Sequence, residues 1–195
     1  MKNRCPWAES HPLLTQYHDT EWGVPLRDDR TLFEFLILDG MQAGLSWLTV
    51  LKKRDAFREA FSKFDAEKIA RYRALRIARL MNDAGIIRNR QKIDAAIGNA
   101  RACLAAQAEF GSFSGYIWSL AGDPPQGPGW DNESQIPAAT PQSEFMSREL
   151  VGRGFHFVGP TICYAFMQAA GMVNDHLGTC FRFRTIERLR RRRSP

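Results

Sequence analysis

The 195-residue sequence has no apolar run that approaches the roughly 20 residues needed to span a bilayer. Its first ten residues, MKNRCPWAES, also lack the apolar stretch of a secretory signal. Apolar residues make up 44% and charged residues 25%, which are ordinary proportions for a globular domain. These features argue against a membrane or exported protein, and we expect a cytoplasmic protein without membrane partners.

Cysteine is scarce and scattered, at positions 5, 103, 163 and 180, and no C-x-x-C pair is present. A zinc nucleobase deaminase needs H-x-E together with C-x-x-C, and an iron–sulfur cluster usually needs four closely spaced thiolates. The spacing therefore excludes both sites, and it gives no indication of disulfides in a cytoplasmic chain. Cys103 and Cys163 lie in apolar helical patterns, so we interpret them as core residues.

Alternating strand patterns are missing as well, and helical periodicity dominates. TLFEFLILDGMQAG is apolar at helical spacing. SWLTVLKKRDAFREAF and DAEKIARYRALRIARLM repeat that pattern after the candidate N-caps Ser46 and Asp65. Thr140 and Pro141 suit the N-cap and first position of a later helix, while the Pro/Gly-rich stretch 121–140 is predicted to be a surface loop. The fold is predicted to be all-α.

Positive charge is concentrated at one end of the chain. FRFRTIERLRRRRSP contains seven arginines and one glutamate, which accounts for the whole net charge of +6. We therefore divide the chain into a single helical domain at 1–181, whose last well-defined helix is TICYAFMQAAGMV, and a basic tail at 182–195. The simplest interpretation of the tail is a solvated, partly disordered segment, and the alternative is an auxiliary arm that contacts phosphates.

Two cysteines and two histidines form the best candidate for a metal site: Cys5, His18, His176 and Cys180. NDHLGTC separates His176 and Cys180 by four residues, so a helical turn would present both on one face. Such a Cys2His2 set closes a structural zinc site and leaves no open position for chemistry. It would clamp the N-terminal segment to the end of the last helix, whereas the alternative is a free thiol and two surface histidines.

A turn between two predicted helices, GFHFVGPT, is suited to holding a phosphate backbone. Gly154 and Gly159 can take conformations that other residues avoid, and Pro160 and Thr161 suit a helix start. Exposed N–H groups at such a start can bind phosphate oxygens, although many such turns merely connect helices. Three basic residues in AGIIRNRQKI suggest either a second backbone contact or a solvated helix start: Arg88, Arg90 and Lys92.

Large aromatic residues lie in segments that are rich in glycine and polar residues. Tyr17 and Trp22 occur in QYHDTEWGVP, and Trp47 follows Asp39 and Leu45 in LDGMQAGLSWLTV. Aromatic rings with a lone carboxylate suit a pocket for a flat base, because they offer stacking faces and one hydrogen-bond acceptor. Taken singly, each tryptophan is better explained by core packing.

Together these segments resemble the 3-methyladenine DNA glycosylase I family, a bacterial group among the helix-hairpin-helix glycosylases. The resemblance extends from RCPW to HLGTC, through YHDTEWGVP, QAGLSWLTVLKKR, DAGIIRNRQKI, RGFHFVGPTICYAFMQAAG and VNDH. It implies the helix-hairpin-helix glycosylase fold and a structural zinc clamp that joins the N- and C-terminal segments. The family's ligands match four residues: Cys5, His18, His176 and Cys180.

The resemblance also implies the activity. A member of this family flips a damaged adenine out of double-stranded DNA and hydrolyses its N-glycosidic bond, which leaves an abasic site; we expect it to act as a monomer. Tyr17 and Trp47 would stack on the base, Trp22 would complete the pocket, and Asp39 would recognise the base.

On the DNA side, the resemblance implies Gly44 and Leu45 at the gap left in the duplex. The hairpin at 154–161, including Gly159 and Thr161, would hold the backbone. Related bifunctional glycosylases place a lysine just after the hairpin. Pro160 and Thr161 stand there in this sequence, so no Schiff-base lyase step is expected.

Two positions depart from the family pattern. Asp39 stands where the family typically has glutamate, and Met41 replaces a commoner polar residue; the arginine-rich tail lies outside the shared pattern. A second hypothesis is therefore a zinc-clamped module that binds nucleic acid without glycosylase activity. Release of free base from alkylated DNA distinguishes the two.

Overall fold

A computed structural model describes residues 2–122 and 127–191. These residues form eleven α-helices and no strand, which confirms the all-α prediction. The helices are α1 Pro12–Thr20, α2 Asp29–Gln42, α3 Trp47–Leu51, α4 Arg54–Ala60, α5 Ala66–Ala70, α6 Ala74–Asn82, α7 Arg90–Phe110, α8 Phe113–Ala121, α9 Pro141–Gly152, α10 Pro160–Ala169 and α11 Phe183–Arg191. Short 3-10 turns occur at Pro6–Glu9, Ser62–Phe64 and Glu133–Gln135. None of the helices in this part of the chain has the length and apolarity to cross a membrane.

The predicted N-caps are confirmed, but two predicted helices are each broken in two. The side chains of Ser46, Asp65 and Thr140 accept hydrogen bonds from backbone N–H groups of α3, α5 and α9. The break between α3 and α4 falls where Lys53 donates to distant carbonyl oxygens, and the break between α5 and α6 includes Tyr72, whose hydroxyl bonds the Ser62 side chain. These tertiary contacts override a continuous helical pattern.

Helix α2 lies at the centre of the domain. Every residue from 32 to 41 is buried, because α7, α8 and α10 pack around α2. This environment encloses two carboxylates. Glu34 forms ion pairs with Arg54 and Arg58 at 2.8 and 2.9 Å, whereas Asp39 forms none with the described residues. The central helix therefore brings one uncompensated carboxylate into the interior.

The prediction of a solvated tail is wrong for most of its length, and α10 is not the last helix. Residues 183–191 form α11, which buries Ile186. Glu187 accepts hydrogen bonds from the Gly127 N–H and the Asn174 side chain, at 3.2 and 2.8 Å. Apolar side chains spaced between the arginines attach this helix to the domain, while Arg184 and Arg188 remain exposed. Residues 192–195 of the predicted tail lie outside the described part.

Candidate active site and metal-ligand cluster

The four candidate metal ligands come together in one buried cluster. The ligand atoms of Cys5, His18, His176 and Cys180 all lie within 4.8 Å of one another. His176 Nδ1 is 3.2 Å from His18 Nε2 and 3.6 Å from Cys180 Sγ, which is 3.4 Å from His18 Nε2. Ligands about 2.0–2.3 Å from a tetrahedral zinc ion are separated by roughly 3.3–3.8 Å. The donor set and its spacing therefore fit a closed four-coordinate site.

The cluster joins the two ends of the described domain. Cys5 precedes the first 3-10 turn and His18 lies on α1. No helical turn presents His176 and Cys180 on one face, because both residues lie in the non-helical connection between α10 and α11. That connection also pairs with the N-terminal segment, where the Phe181 N–H donates to the Asn3 carbonyl oxygen at 2.9 Å.

Neighbouring groups orient the ligands. Asp19 accepts from His18 Nδ1 at 2.9 Å, which leaves His18 Nε2 facing the cluster. The Arg4 guanidinium holds Asp19 in turn and is the main cause of a pKa of about 2 for its carboxyl group. Backbone N–H groups of Leu177 and Arg182 point at the sulfur atoms of the two cysteines. A histidine ligand backed by a carboxylate is the arrangement that metal sites use to set ring orientation.

Beside the cluster lies a cavity of about 420 Å³ that is lined by all four residues of the predicted base pocket. Tyr17, Trp22, Asp39 and Trp47 all line it, and Thr161 reaches it from the start of α10. The Tyr17 and Trp47 rings are 5.4 Å apart between centroids. The rest of the wall comprises Trp7, Gln42, Glu133, Ile136, Pro137, Ala138, Tyr164, Ala165, Gln168 and Ala169.

Two polar groups in the cavity wall are unpartnered. Asp39 is 2% exposed, and within residues 2–122 and 127–191 neither its Oδ2 nor the indole N–H of Trp47 has a hydrogen-bond partner. Burial raises the pKa of Asp39 well above that of an ordinary aspartate, with an opposing effect from Arg54. Burial, and then the Asp39 charge, raises the pKa of Tyr17. Because buried polar groups are normally hydrogen-bonded, these two groups indicate a ligand site.

Sequence reasoning missed the wall that α10 and the segment 127–138 provide. Thr161, Tyr164 and Gln168 lie on one side of α10 at helical spacing, so a polar stripe in an apolar helix was available as a signal. The segment 127–138 was interpreted only as a surface loop, although Glu133 and its neighbours line the cavity and Glu133 accepts from the Trp7 N–H at 2.9 Å. Nothing in its composition indicates that it folds over the cavity.

The turn after α2 presents an apolar tip. Gly44 has φ +78°, which favours glycine, and Leu45 is 43% exposed. Neither residue lines the cavity, so they lie outside the pocket wall.

Lys92, which we considered for a phosphate contact, is buried. It donates to the Met41 and Ala43 carbonyl oxygens at 2.8 and 2.6 Å, and burial lowers its pKa. That interpretation of Lys92 is wrong, because it caps the end of α2.

The hairpin packs closely against the same end of α2. It joins α9 to α10, and Asn99 holds it by accepting from the His156 N–H and donating to the His156 carbonyl oxygen, at 2.7 and 3.0 Å. A Cβ atom at Gly40 would lie 3.3 Å from the Phe157 Cβ atom, so glycine permits this approach. Gly159, at the N-cap of α10, is exposed and does not line the cavity.

A cavity lined by aromatic rings and a buried carboxylate suits a base turned out of a duplex, and enzymes that break the bond between such a base and its sugar form the class of DNA glycosylases. The family model of methyladenine glycosylases matches residues 7–183. The chain belongs to the methyladenine glycosylase family.

Named relatives agree with this assignment. The chain is 50% identical over 177 residues to DNA-3-methyladenine glycosylase 1 of Escherichia coli strain K12, covering 91% of this chain and 95% of that protein. It is 46% identical to DNA-3-methyladenine glycosylase of Haemophilus influenzae, covering 92% and 97%. A crystal structure of 3-methyladenine DNA glycosylase I superposes with a TM-score of 0.88 at 49% identity, covering 92% and 98%. The Staphylococcus aureus enzyme, solved to explain its 3-methyladenine recognition, gives 0.88 at 36% identity, covering 93% and 97%.

Proposed function

We propose that this enzyme excises 3-methyladenine from double-stranded DNA by hydrolysis alone and leaves an abasic site. The cavity with an unpaired Asp39 is the observation that carries the proposal, and the names of the relatives supply the base. Tyr17 and Trp47 stack on the base, Trp22 completes the pocket, and Asp39 accepts a hydrogen bond from it. α9, the connection 153–159 and α10 act as the helix-hairpin-helix unit, with Gly159 and Thr161 on the backbone.

The chemistry explains why the cavity contains few acid–base groups. A 3-methylated adenine carries positive charge while attached to the sugar. When the N-glycosidic bond breaks, its electron pair goes to the base, which leaves as a neutral molecule. Water then adds to the oxocarbenium-like sugar and loses a proton. The protein therefore needs to capture the flipped base and admit water, and it needs no strong general acid.

Asp39 acts as an electrostatic and hydrogen-bonding group in this scheme. Its burial disfavours the ionised form in the free enzyme, and a cationic base in the cavity reverses that preference. Leu45 fills the gap that the base leaves in the duplex, with Gly44 allowing the tight turn. Cys5, His18, His176 and Cys180 would hold a zinc ion, which would supply structural closure of the chain rather than chemistry.

The deciding experiment measures release of free 3-methyladenine from methylated duplex DNA under single-turnover conditions. We expect free base and intact strands that break only after mild alkali, because no lysine follows the hairpin. Borohydride should trap no covalent enzyme–DNA adduct. DNA binding without base release would favour the alternative, a nucleic-acid-binding module without catalysis.

Exposed arginines of α11 provide an auxiliary phosphate contact in this proposal. Replacing Arg184 and Arg188 by glutamine should reduce the slope of log affinity against log salt by about 1 to 2, since each phosphate contact contributes about 0.9. Whole-segment deletion is unsuitable because Ile186 and Glu187 are packed. Base release at saturating protein should stay normal.

The matched control replaces two exposed arginines by glutamine: Arg71, which follows α5, and Arg79 of α6. It removes the same charge from elements other than α11. An equal fall in slope in both double variants would mean that net charge, rather than α11, determines the effect.

A further inference from the structure

Asp175, another buried carboxylate, lies behind the cavity. It is 3% exposed and directly precedes the cluster residue His176. Its Oδ1 accepts from the indole N–H of Trp130 at 2.9 Å. Its Oδ2 accepts from the Tyr164 hydroxyl at 2.6 Å and from the Gln168 amide at 2.7 Å. Asp175 forms no ion pair within residues 2–122 and 127–191, so these three neutral donors are its identified partners.

The three donors belong to the two walls that sequence reasoning missed. Tyr164 and Gln168 line the cavity from α10. Trp130 lies in the segment 127–138, three residues before the cavity residue Glu133, and its carbonyl oxygen accepts from the Gly178 N–H at 3.0 Å. One carboxylate therefore connects the α10 wall to the segment that covers the cavity.

The partners require a carboxylate at this position. An ionised carboxylate only accepts hydrogen bonds, and it can satisfy three converging donors. An asparagine has the same shape, but its amide nitrogen would face at least one donor. A buried donor left unsatisfied costs more than the original bond contributed, so the side chains would move to find other partners.

We propose that Asp175 is a positioning residue of the base cavity, which fixes Tyr164, Gln168 and the segment 127–138 in the arrangement that binds the base. It acts through these groups and does not line the cavity itself. This inference rests on the proposed function, because it takes the cavity to be the base site.

The test compares Asp175→Asn with a matched variant, Asp29→Asn. Asp29 also receives three converging donors, from the Gln107 amide and the Phe113 and Ser114 N–H groups, at 2.7–2.9 Å. None of these groups lines the cavity. Each variant disturbs three hydrogen bonds to one aspartate, so a purely structural role predicts a fall in melting temperature in both without a change at the cavity.

The informative readouts are the dissociation constant for free 3-methyladenine, zinc content, and the KM and kcat of base release. We expect Asp175→Asn to weaken base binding and raise KM between about 10- and 100-fold, the range that displacement by about 1 Å can produce. Zinc content should match that of the wild type. Asp29→Asn should bind free base within about twofold of the wild type. Trp130→Phe removes one donor outside the cavity and should weaken base binding less. It replaces Asp175→Asn as the test variant if Asp175→Asn does not fold.

Unchanged base affinity in Asp175→Asn, or in Trp130→Phe if the first variant does not fold, would overturn the inference. So would a loss of affinity that follows a loss of zinc, because the metal cluster would then be the cause. Failure of the proposed function is visible separately, as absent release of 3-methyladenine by the wild type.

Discussion

Asp39→Asn should reduce 3-methyladenine release by about 100-fold or more, while folding and zinc content stay normal. The ionised carboxylate offsets the positive charge of the bound base, and an amide of the same shape offers no charge; removal of one preorganised electrostatic group from an enclosed site typically costs about 100- to 1000-fold in rate. Among the described residues Asp39 Oδ2 has no hydrogen-bond partner, so the substitution removes no hydrogen bond at that atom. The measurement is single-turnover base release with zinc analysis of the same preparation.

The conservative variant Asp39→Glu provides the control for this prediction. Glutamate is one methylene longer, about 1.5 Å of extra reach, and the cavity has room for it. It should preserve or raise base release. Equal activity in the wild type and Asp39→Asn would show that this carboxylate does not recognise the base, and the pocket would have to be reassigned.

Asp39→Asn should also change how the stability of the folded protein depends on pH. In the unfolded chain an aspartate ionises near pH 4, whereas burial raises the pKa of Asp39 in the folded protein. The folded state therefore retains a proton that the unfolded state releases, and stability is lost as pH rises from about 4 through the raised pKa. Asp39→Asn removes this loss. It should be more stable at neutral pH by about 1 kcal/mol, with the difference disappearing below about pH 4.

Cys180→Ser should lower both zinc content and thermal stability. The expected loss is about 4 kcal/mol or more, since a cross-link over more than 100 residues is worth roughly that amount and a structural zinc in small peptides contributes about 10 kcal/mol. For a chain of this size that corresponds to a fall in melting temperature of roughly 10 °C. Calorimetry and metal analysis provide the measurement, and chelation of the wild type should give a similar result.

Cys103→Ser is the matched control, because Cys103 is another buried cysteine that lies outside the cluster. It should reduce stability moderately and leave one zinc per chain. If the purified wild type contains no zinc, or Cys103→Ser loses as much metal as Cys180→Ser, the Cys2His2 assignment is wrong.

Local sequence signals predicted the helices well because they act over a few residues. The N-cap residues Ser46, Asp65 and Thr140 each bond a backbone N–H group three positions away. The errors arose where distant parts of the chain decide the outcome. Ile186 is buried only because α11 meets the rest of the domain, and a run of arginines gave no indication of that contact.

The residues of the candidate site show the same difference between local signals and contacts made by distant parts of the chain. Tyr17, Asp39 and Trp47 were found because their segments combine aromatic rings with glycine and polar residues. Tyr164 and Gln168 were missed, since the apolar character of α10 drew attention to its buried side. The ligands at 5 and 18 could be matched to those at 176 and 180 only by residue type and by resemblance, because spacing carries no information across more than 150 residues.

The candidate metal cluster also has a consequence for synthesis of the protein, because its members are made at very different times. Cys5 and His176 are 171 residues apart along the chain, and a ribosome adds roughly 5–20 residues per second. Cys5 and His18 are therefore made many seconds before His176 and Cys180. Trp7, Tyr17 and Trp22 lie beside the early ligands, and Asp175 lies beside a late one. The cluster is thus completed only at the end of synthesis, and a chain that stops before His176 lacks two of its four members even though most of its helices are present.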